Sequence, residues 1–226
     1  MGITDAHCHT ASGESRSFLC SPFSLPPPPN AVLFHGTHPW HLDGFDADVL
    51  RARLSADPSA GVGEIGLDRL KDRSISPRMR QTFEAQLEVA AEFVRPVVLH
   101  GAKCWGEVVK ACKPYAGRIP SFLFHGFSRS DGLIPDIVAL NGYISAGPAL
   151  LNDHAVNYRE LAKRIPLDRL LVESDRTPEN AAIVPSVDEI AAYLATLRGI
   201  PFDTLAAALE SNATRLIATL TKTAVI

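Results

Sequence analysis

The chain has 226 residues, of which 46% are hydrophobic and 21% charged, a balance typical of a globular domain with a sizeable core. Its net charge of −3 excludes the basic surface of a general nucleic-acid binder, so any phosphate binding must come from a local site. No apolar run approaches the roughly 20 residues of a membrane span. The four cysteines show neither CxxC spacing nor a disulfide framework. We therefore expect one domain over residues 1–226, monomeric, cytoplasmic and without a membrane partner.

Short apolar runs predict buried strands along the whole chain. Most runs are continuous rather than alternating, which is typical of parallel strands covered on both faces. The predicted strands are Ile3–His7, a possible short strand Ser17–Cys20, Ala31–His35, Gly61–Ile65, Pro96–His100, Ser121–His125, Gly142–Ala146 and Leu170–Glu173.

Helical signals lie between the later strands. Ser76 is a predicted N-cap, with Pro77 at the first helical position, and Ser130-Asp131 and Asn152-Asp153 are further predicted caps. Ser186 and Glu189 form a predicted capping box, and a helical stretch runs from Asp203 to Leu220. This alternation predicts an α/β fold with a parallel sheet, either doubly wound or a (β/α)8 barrel. Polar residues at the carboxyl ends of many different strands favour the barrel.

The front of the chain is too short for a complete barrel. Only 21 residues separate His9 from Ala31, and they include the proline run 26–29, which cannot be helical. We therefore expect a (β/α)8 TIM-type barrel with a shortened N-terminal part, in which the helices between strands 1 and 3 are missing or reduced.

Histidines and acidic residues stand at or just past the carboxyl ends of five predicted strands. His7 and His9 are two residues apart on one strand, so both imidazoles point to one side and Cys8 to the other. The later strand ends add Glu64, His100, His125 and Asp175. Imidazole and carboxylate are common ligands of zinc and similar divalent ions.

Six such ligands exceed what one catalytic zinc needs and instead predict two ions that share a bridging carboxylate. Glu64 is the natural bridge, because a carboxylate has two oxygens to share. On this interpretation His7, His9, Glu64 and Asp175 hold one ion, and Glu64, His100 and His125 hold the other.

The chain resembles the TatD family of metal-dependent deoxyribonucleases, within the amidohydrolase-like barrels. The matching motifs are "DAHCH", "GTHPW", "GEIGLD", "PVVLHG", "HGFS" and "ESD", which run in the family's order from residue 5 to residue 175, and "NATRLI" resembles the closing helix. The resemblance implies a (β/α)8 barrel, two divalent cations (Zn, Mg or Mn) and hydrolysis of DNA phosphodiesters.

Residue roles follow from the same resemblance and from the chemistry of a two-metal site. The implied metal ligands are the six residues above. Asp175 would orient or deprotonate the attacking water, with Glu64 as the second catalytic carboxylate, and His38 would lie near the substrate phosphate. Glu173 and Asp68 are candidates to support the ligands.

The chain departs from the family pattern in four places. The segment between the first two motifs is short, Arg69 replaces an aromatic residue, Arg129 replaces a glycine, and "ESD" stands for "ETD". Arg129 is a candidate contact for a substrate phosphate.

Two other functions are compatible with the sequence. The first is a metal-dependent amidohydrolase or esterase acting on a small molecule, such as an acyl group on a nucleotide or transfer RNA. The second is a non-catalytic, metal-stabilised binding protein whose shortened front leaves the barrel open. Fold-level similarity does not separate these functions.

Overall fold

Eight parallel strands form the centre of the protein and pair in chain order from the first to the last. The computed structural model describes residues 2–20, 27–128 and 130–220. The strands are β1 (Asp5–Cys8), β2 (Ser17–Cys20), β3 (Ala31–His35), β4 (Gly61–Asp68), β5 (Val97–Ala102), β6 (Phe122–Phe124), β7 (Gly142–Ala146) and β8 (Leu170–Val172). Nearly all of their residues are buried, which explains the continuous apolar runs.

The end of β8 returns to β1 and nearly closes the sheet into a barrel. The Asp175 backbone N–H donates to the His7 carbonyl at 3.0 Å. One Asp5 carboxylate oxygen accepts the Ser174 backbone N–H at 2.9 Å, and the other accepts the Ser174 hydroxyl at 2.5 Å. Burial raises the pKa of Asp5 to about 6, although the bonds from Ser174 oppose the shift. The predicted barrel is confirmed.

A cluster of side chains from seven strands packs inside this barrel. Its strand members are Ala6, Phe18, Cys20, Phe34, Val98, Leu123, Tyr143 and Leu171, all buried. Residues of non-adjacent strands meet in this way in the interior of a barrel. The larger apolar cluster lies between the outer face of the sheet and the helices.

Helices cover the outside of the later strands. They are α1 (Ala47–Ala56), α2 (Pro77–Glu92), α3 (Trp105–Cys112), α4 (Ile134–Ala139), α5 (Val156–Arg164), α6 (Val187–Arg198) and α7 (Phe202–Leu216). The Ser76 hydroxyl caps α2 by accepting the Met79 N–H. Ser186 and Glu189 form the predicted capping box of α6.

The predicted start of α5 is wrong. Its cap position is Ala155, without a side-chain hydrogen bond. The Asn152 side chain instead accepts the backbone N–H of His154 at 2.9 Å and forms a local turn. Helix α7 also ends at Leu216, before the predicted Leu220.

The front of the barrel lacks helices of its own in the described residues. Between β1 and β3, residues 9–16 and 27–30 contain no helix; residues 21–26 lie outside the described part of the chain. Helix α7 contacts this region instead, because Glu210 pairs with Arg16 at 3.1 Å and accepts the Thr4 backbone N–H. The Ser121 hydroxyl, just before β6, donates to the Leu216 carbonyl at 2.6 Å. Helix α7 therefore covers the amino ends of several strands.

All four cysteines are buried and free, as expected without a disulfide framework. Within the described ranges, no helix is both long and apolar enough to cross a membrane.

Candidate metal centre

The six predicted ligands lie together at the carboxyl ends of the strands. His7 lies in β1 and His9 directly follows it, while the other four residues belong to later strands or closely follow them. They are Glu64 in β4, His100 in β5, His125 just after β6, and Asp175 shortly after β8.

The buried Glu64 carboxylate is the centre of the group. Its Oε1 lies 2.7 Å from His100 Nδ1 and 2.6 Å from His125 Nε2. Its Oε2 lies 3.2 Å from His9 Nε2 and 3.5 Å from His7 Nε2. Each carboxylate oxygen therefore faces a different pair of imidazoles, the division expected of a bridging carboxylate.

Asp175 lies on the side of the centre that holds His7 and His9. Its Oδ1 lies 3.5 Å from His7 Nε2 and 3.9 Å from His9 Nε2. The side chain is 50% exposed, and the backbone adopts a φ of 48°, which is uncommon for a residue other than glycine. The hydrogen bond to the His7 carbonyl holds this conformation. Asp175 is therefore a carboxylate beside the front histidines that water can reach.

Without a cation, the centre is a cluster of imidazoles around one carboxylate. Burial disfavours ionisation of Glu64, yet the nearby His125 and His7 hold its pKa well below the ordinary value. Burial also opposes protonation of His125, but Glu64 and Glu173 raise its pKa well above the usual range. Cation binding at such a cluster must displace protons from the imidazoles.

Two further carboxylates lie next to predicted ligands, on the far side of each imidazole from Glu64. Asp68 Oδ2 lies 2.9 Å from His100 Nε2. If the proton of His100 lies on Nε2, its Nδ1 lone pair points at Glu64, as in the carboxylate–histidine pairs of metal sites. Glu173 Oε1 lies 3.6 Å from His125 Nδ1 and accepts the Gly126 N–H at 2.8 Å. Asp68 and Glu173 thus lie next to His100 and His125, and their role in supporting the ligands stays a prediction.

His7 shows most directly that the donor set suits a cation. Among the described residues, its buried Nε2 has no hydrogen-bond partner, although carboxylate oxygens of Glu64 and Asp175 lie 3.5 Å away, and such an atom is costly unless another group meets it. Its Nδ1 lies 3.5 Å from the Cys20 thiol, a contact that sequence reasoning missed. Cys8 points away, with its sulfur 3.8 Å from the Phe18 carbonyl.

In the described part of the chain, potential ligand atoms form three overlapping groups, and the atoms of each group lie within 4.8 Å of one another. These groups are His7–His9–Asp175, His7–Glu64–His125 and His38–Glu64–His100.

His38 belongs to the third group, but its hydrogen bonds favour a donor over a ligand. Its Nε2 lies 3.6 Å from Glu64 Oε1, and its Nδ1 accepts the Trp40 backbone N–H at 3.1 Å. A neutral imidazole that accepts at Nδ1 carries its proton on Nε2. Burial lowers the pKa of His38 to about 4, so this neutral form prevails at pH 7.

An open groove of about 940 Å³ begins at the centre. His100, His125 and Asp175 line one end, and Arg69 and Lys103 lie farther along. Arg69 is paired with Glu107. Arg129, the predicted phosphate contact, lies outside the described residues.

Residues 27–218 match the profile of the family described as TatD related DNase. The chain belongs to the TatD related DNase family. It is 30% identical to YabD of Bacillus subtilis, named an uncharacterized metal-dependent hydrolase, over 78% of this chain and 74% of that one. It is 29% identical to the 3'-5' ssDNA/RNA exonuclease TatD of Erwinia tasmaniensis, over 80% of this chain and 76% of that one.

The fold of the TatD family is also found among solved structures. YjjV, a TatD homologue from Escherichia coli, superposes with a TM-score of 0.80 at 23% identity, over 95% of this chain and 97% of that one. This match confirms the fold. The profile match and the curated relatives confirm the resemblance seen in the sequence, and the chain is a metal-dependent hydrolase of ester bonds.

Proposed function

We propose that this TatD family member hydrolyses phosphodiester bonds of DNA with the help of two divalent cations (Zn²⁺, Mg²⁺ or Mn²⁺). The observation that carries the proposal is the position of Glu64, whose two carboxylate oxygens face separate sets of imidazoles. A bridging carboxylate is a common feature of two-metal hydrolytic sites, which suit phosphodiester cleavage.

The ligands fall into two sets. His7, His9 and Asp175 would hold one cation and His100 and His125 the other, with Glu64 shared between them. Bound cations would supply an acidic water and positive charge opposite the phosphoryl oxygens.

The remaining chemistry falls to the side chains around the ligands. Asp175, the exposed carboxylate, would orient the attacking water and accept its proton. His38 would donate its Nε2 proton to a phosphate oxygen. Asp68 and Glu173 would keep His100 and His125 in their orientations.

The relatives support nucleic acid as the substrate class. The Erwinia relative is named as an exonuclease of single-stranded DNA and RNA. The groove beside the centre is open and carries Lys103 in its wall, so an extended strand could enter it without a strongly basic surface elsewhere.

A substrate panel tests the proposal and its alternatives. The protein is stripped with a chelator, reloaded with Zn²⁺, Mg²⁺ or Mn²⁺, and assayed on a single-stranded oligonucleotide, a p-nitrophenyl carboxylate ester and an N-acyl amide. We expect the oligonucleotide to be cleaved, the chelator to abolish cleavage and one metal to restore it. Preferred cleavage of the ester or amide would favour the amidohydrolase alternative. A metal-loaded protein inert toward all three would favour a binding protein.

A further inference from the structure

Trp40 is a large aromatic side chain left exposed at the edge of the metal centre. It is 47% exposed, whereas Trp105, the other tryptophan of the chain, is 4% exposed. The Trp40 ring lies 5.0 Å from the His38 ring at an interplanar angle of 82°, and 6.4 Å from the His100 ring at 69°. The exposed indole is therefore in contact with the site itself.

The turn that carries Trp40 is also bonded to a histidine of the site. The Trp40 backbone N–H donates to His38 Nδ1, and His38 Nε2 lies 3.6 Å from Glu64 Oε1. The His41 N–H donates to the His38 carbonyl at 2.9 Å and tightens the same turn. One histidine thus links the indole to the central carboxylate, and a group seated on Trp40 lies next to a bond cleaved there.

We propose that Trp40 stacks on an unpaired nucleobase of the nucleotide beside the scissile phosphate. This inference rests on the proposed nuclease function and adds the residue that recognises the base. Aromatic side chains bind single strands by stacking, which accepts every base because each has a π-face. A base inside a duplex is already stacked on its neighbours, so this contact favours single strands and frayed ends over closed duplexes.

The test compares a single-stranded oligonucleotide with the same strand lacking the base at the nucleotide next to the cleaved bond. Stacking contributes about 5- to 150-fold per base, so the wild-type kcat/KM should fall by that factor on the abasic strand. In Trp40→Ala the intact and abasic strands should be cleaved at similar rates, while Trp40→Phe should keep most of the difference. Phe202→Ala is the matched control, because Phe202 is an exposed aromatic at the start of α7 (41% exposed).

Fluorescence provides a readout that does not depend on turnover. A phosphorothioate-linked single strand should quench the wild-type emission on binding, and Trp40→Phe should remove that quenching while Trp105 still reports the fold. Trp40→Ala slowing both strands equally would overturn the inference, because the residue would then only shape the centre. Discrimination against the abasic strand that is as large in Trp40→Ala as in the wild type would also overturn it. Failure of the nuclease proposal looks different, since no strand would then be cleaved by any variant.

Discussion

The front of the barrel, strands β1 to β3, and its rear, strands β4 to β8, are built differently but contribute to one centre. Strands β1 to β3 are joined by short segments in which the described residues form no helix, while β4 to β8 alternate with helices α2 to α6. The front nevertheless supplies His7, His9 and His38, and the rear supplies the residues that face them. The site depends on the strands and their carboxyl ends rather than on a complete outer ring of helices.

The front strands remain buried because other parts of the chain cover them. Phe18 and Phe34 pack into the barrel interior against side chains of the rear strands. At the amino ends, α7 reaches β1 and β2 through Glu210, Arg16 and Thr4. A rear helix therefore covers part of the front, where the described residues between β1 and β3 form no helix.

Removing the carboxylate shared by front and rear should have the largest effect. Glu64→Ala removes contacts to both sets of imidazoles, so we expect loss of both cations and a fall in kcat of at least about 10³-fold, the upper range for losing one electrostatic contact. Metal analysis and a nuclease assay on the purified variant check this. A Glu64→Ala protein with two bound metals and full activity would refute the shared centre.

Asp175→Asn tests the rear residue that faces the front histidines. The amide keeps the shape but loses the negative charge and the capacity to accept a proton, so kcat should fall by at least ~10²-fold. Cys8→Ser is the control. Cys8 stands between His7 and His9 in the sequence, but its sulfur points toward the Phe18 carbonyl and away from the centre. Its metal content should match the wild type, and loss of metal in that variant would contradict the alternation assigned to β1.

Ser174→Ala breaks the contact that joins the rear to the front at the closing edge. The buried Asp5 carboxylate loses one of its two bonds from Ser174, which costs about 1.5–3 kcal/mol. The melting temperature should fall by about 3–12 °C for a protein of this size. Ser174→Thr keeps the hydroxyl and should melt near the wild-type temperature; equal losses in both variants would show that packing, not the hydrogen bond, closes the barrel.

The smallest effect is expected where α7 meets the front. Glu210→Gln weakens the partly exposed pair with Arg16 and should lower the free energy of unfolding by up to about 1 kcal/mol. Glu88→Gln is the rear counterpart, since Glu88 forms an exposed pair with Arg118, and it should change stability little. Urea unfolding of both variants compares them, and equal effects would mean that α7 gives the front no special support.

The sequence predicted the barrel and the residues that lie together at its carboxyl ends because one signal marks both, whereas the role of those residues as metal ligands stays a prediction. A buried parallel strand is a continuous apolar run, and His7, Glu64, His100 and His125 stand at or near the ends of such runs. Even β2, only four residues long, was visible as Ser17–Cys20.

Features that depend on contacts between distant residues were less predictable. Helix α1 was not identified, because it buries only Leu50 and Leu54 and so shows little helical periodicity. The contact of Cys20 with His7 depends on how β1 pairs with β2, where the register is irregular between Asp5 and Cys8. The exposure of Trp40 likewise depends on the turn that His38 organises.

The short front connections also bear on the order in which the chain folds. Asp5 pairs with Ser17 and Ser17 with Ala31, whereas Val62 pairs with Val97 and Val97 with Phe122. Closing a short loop costs less chain entropy than closing a long one, and local contacts speed folding. The β1–β3 ladder is therefore the part of this parallel sheet that can form earliest, before the crossover helices bring the later strands together.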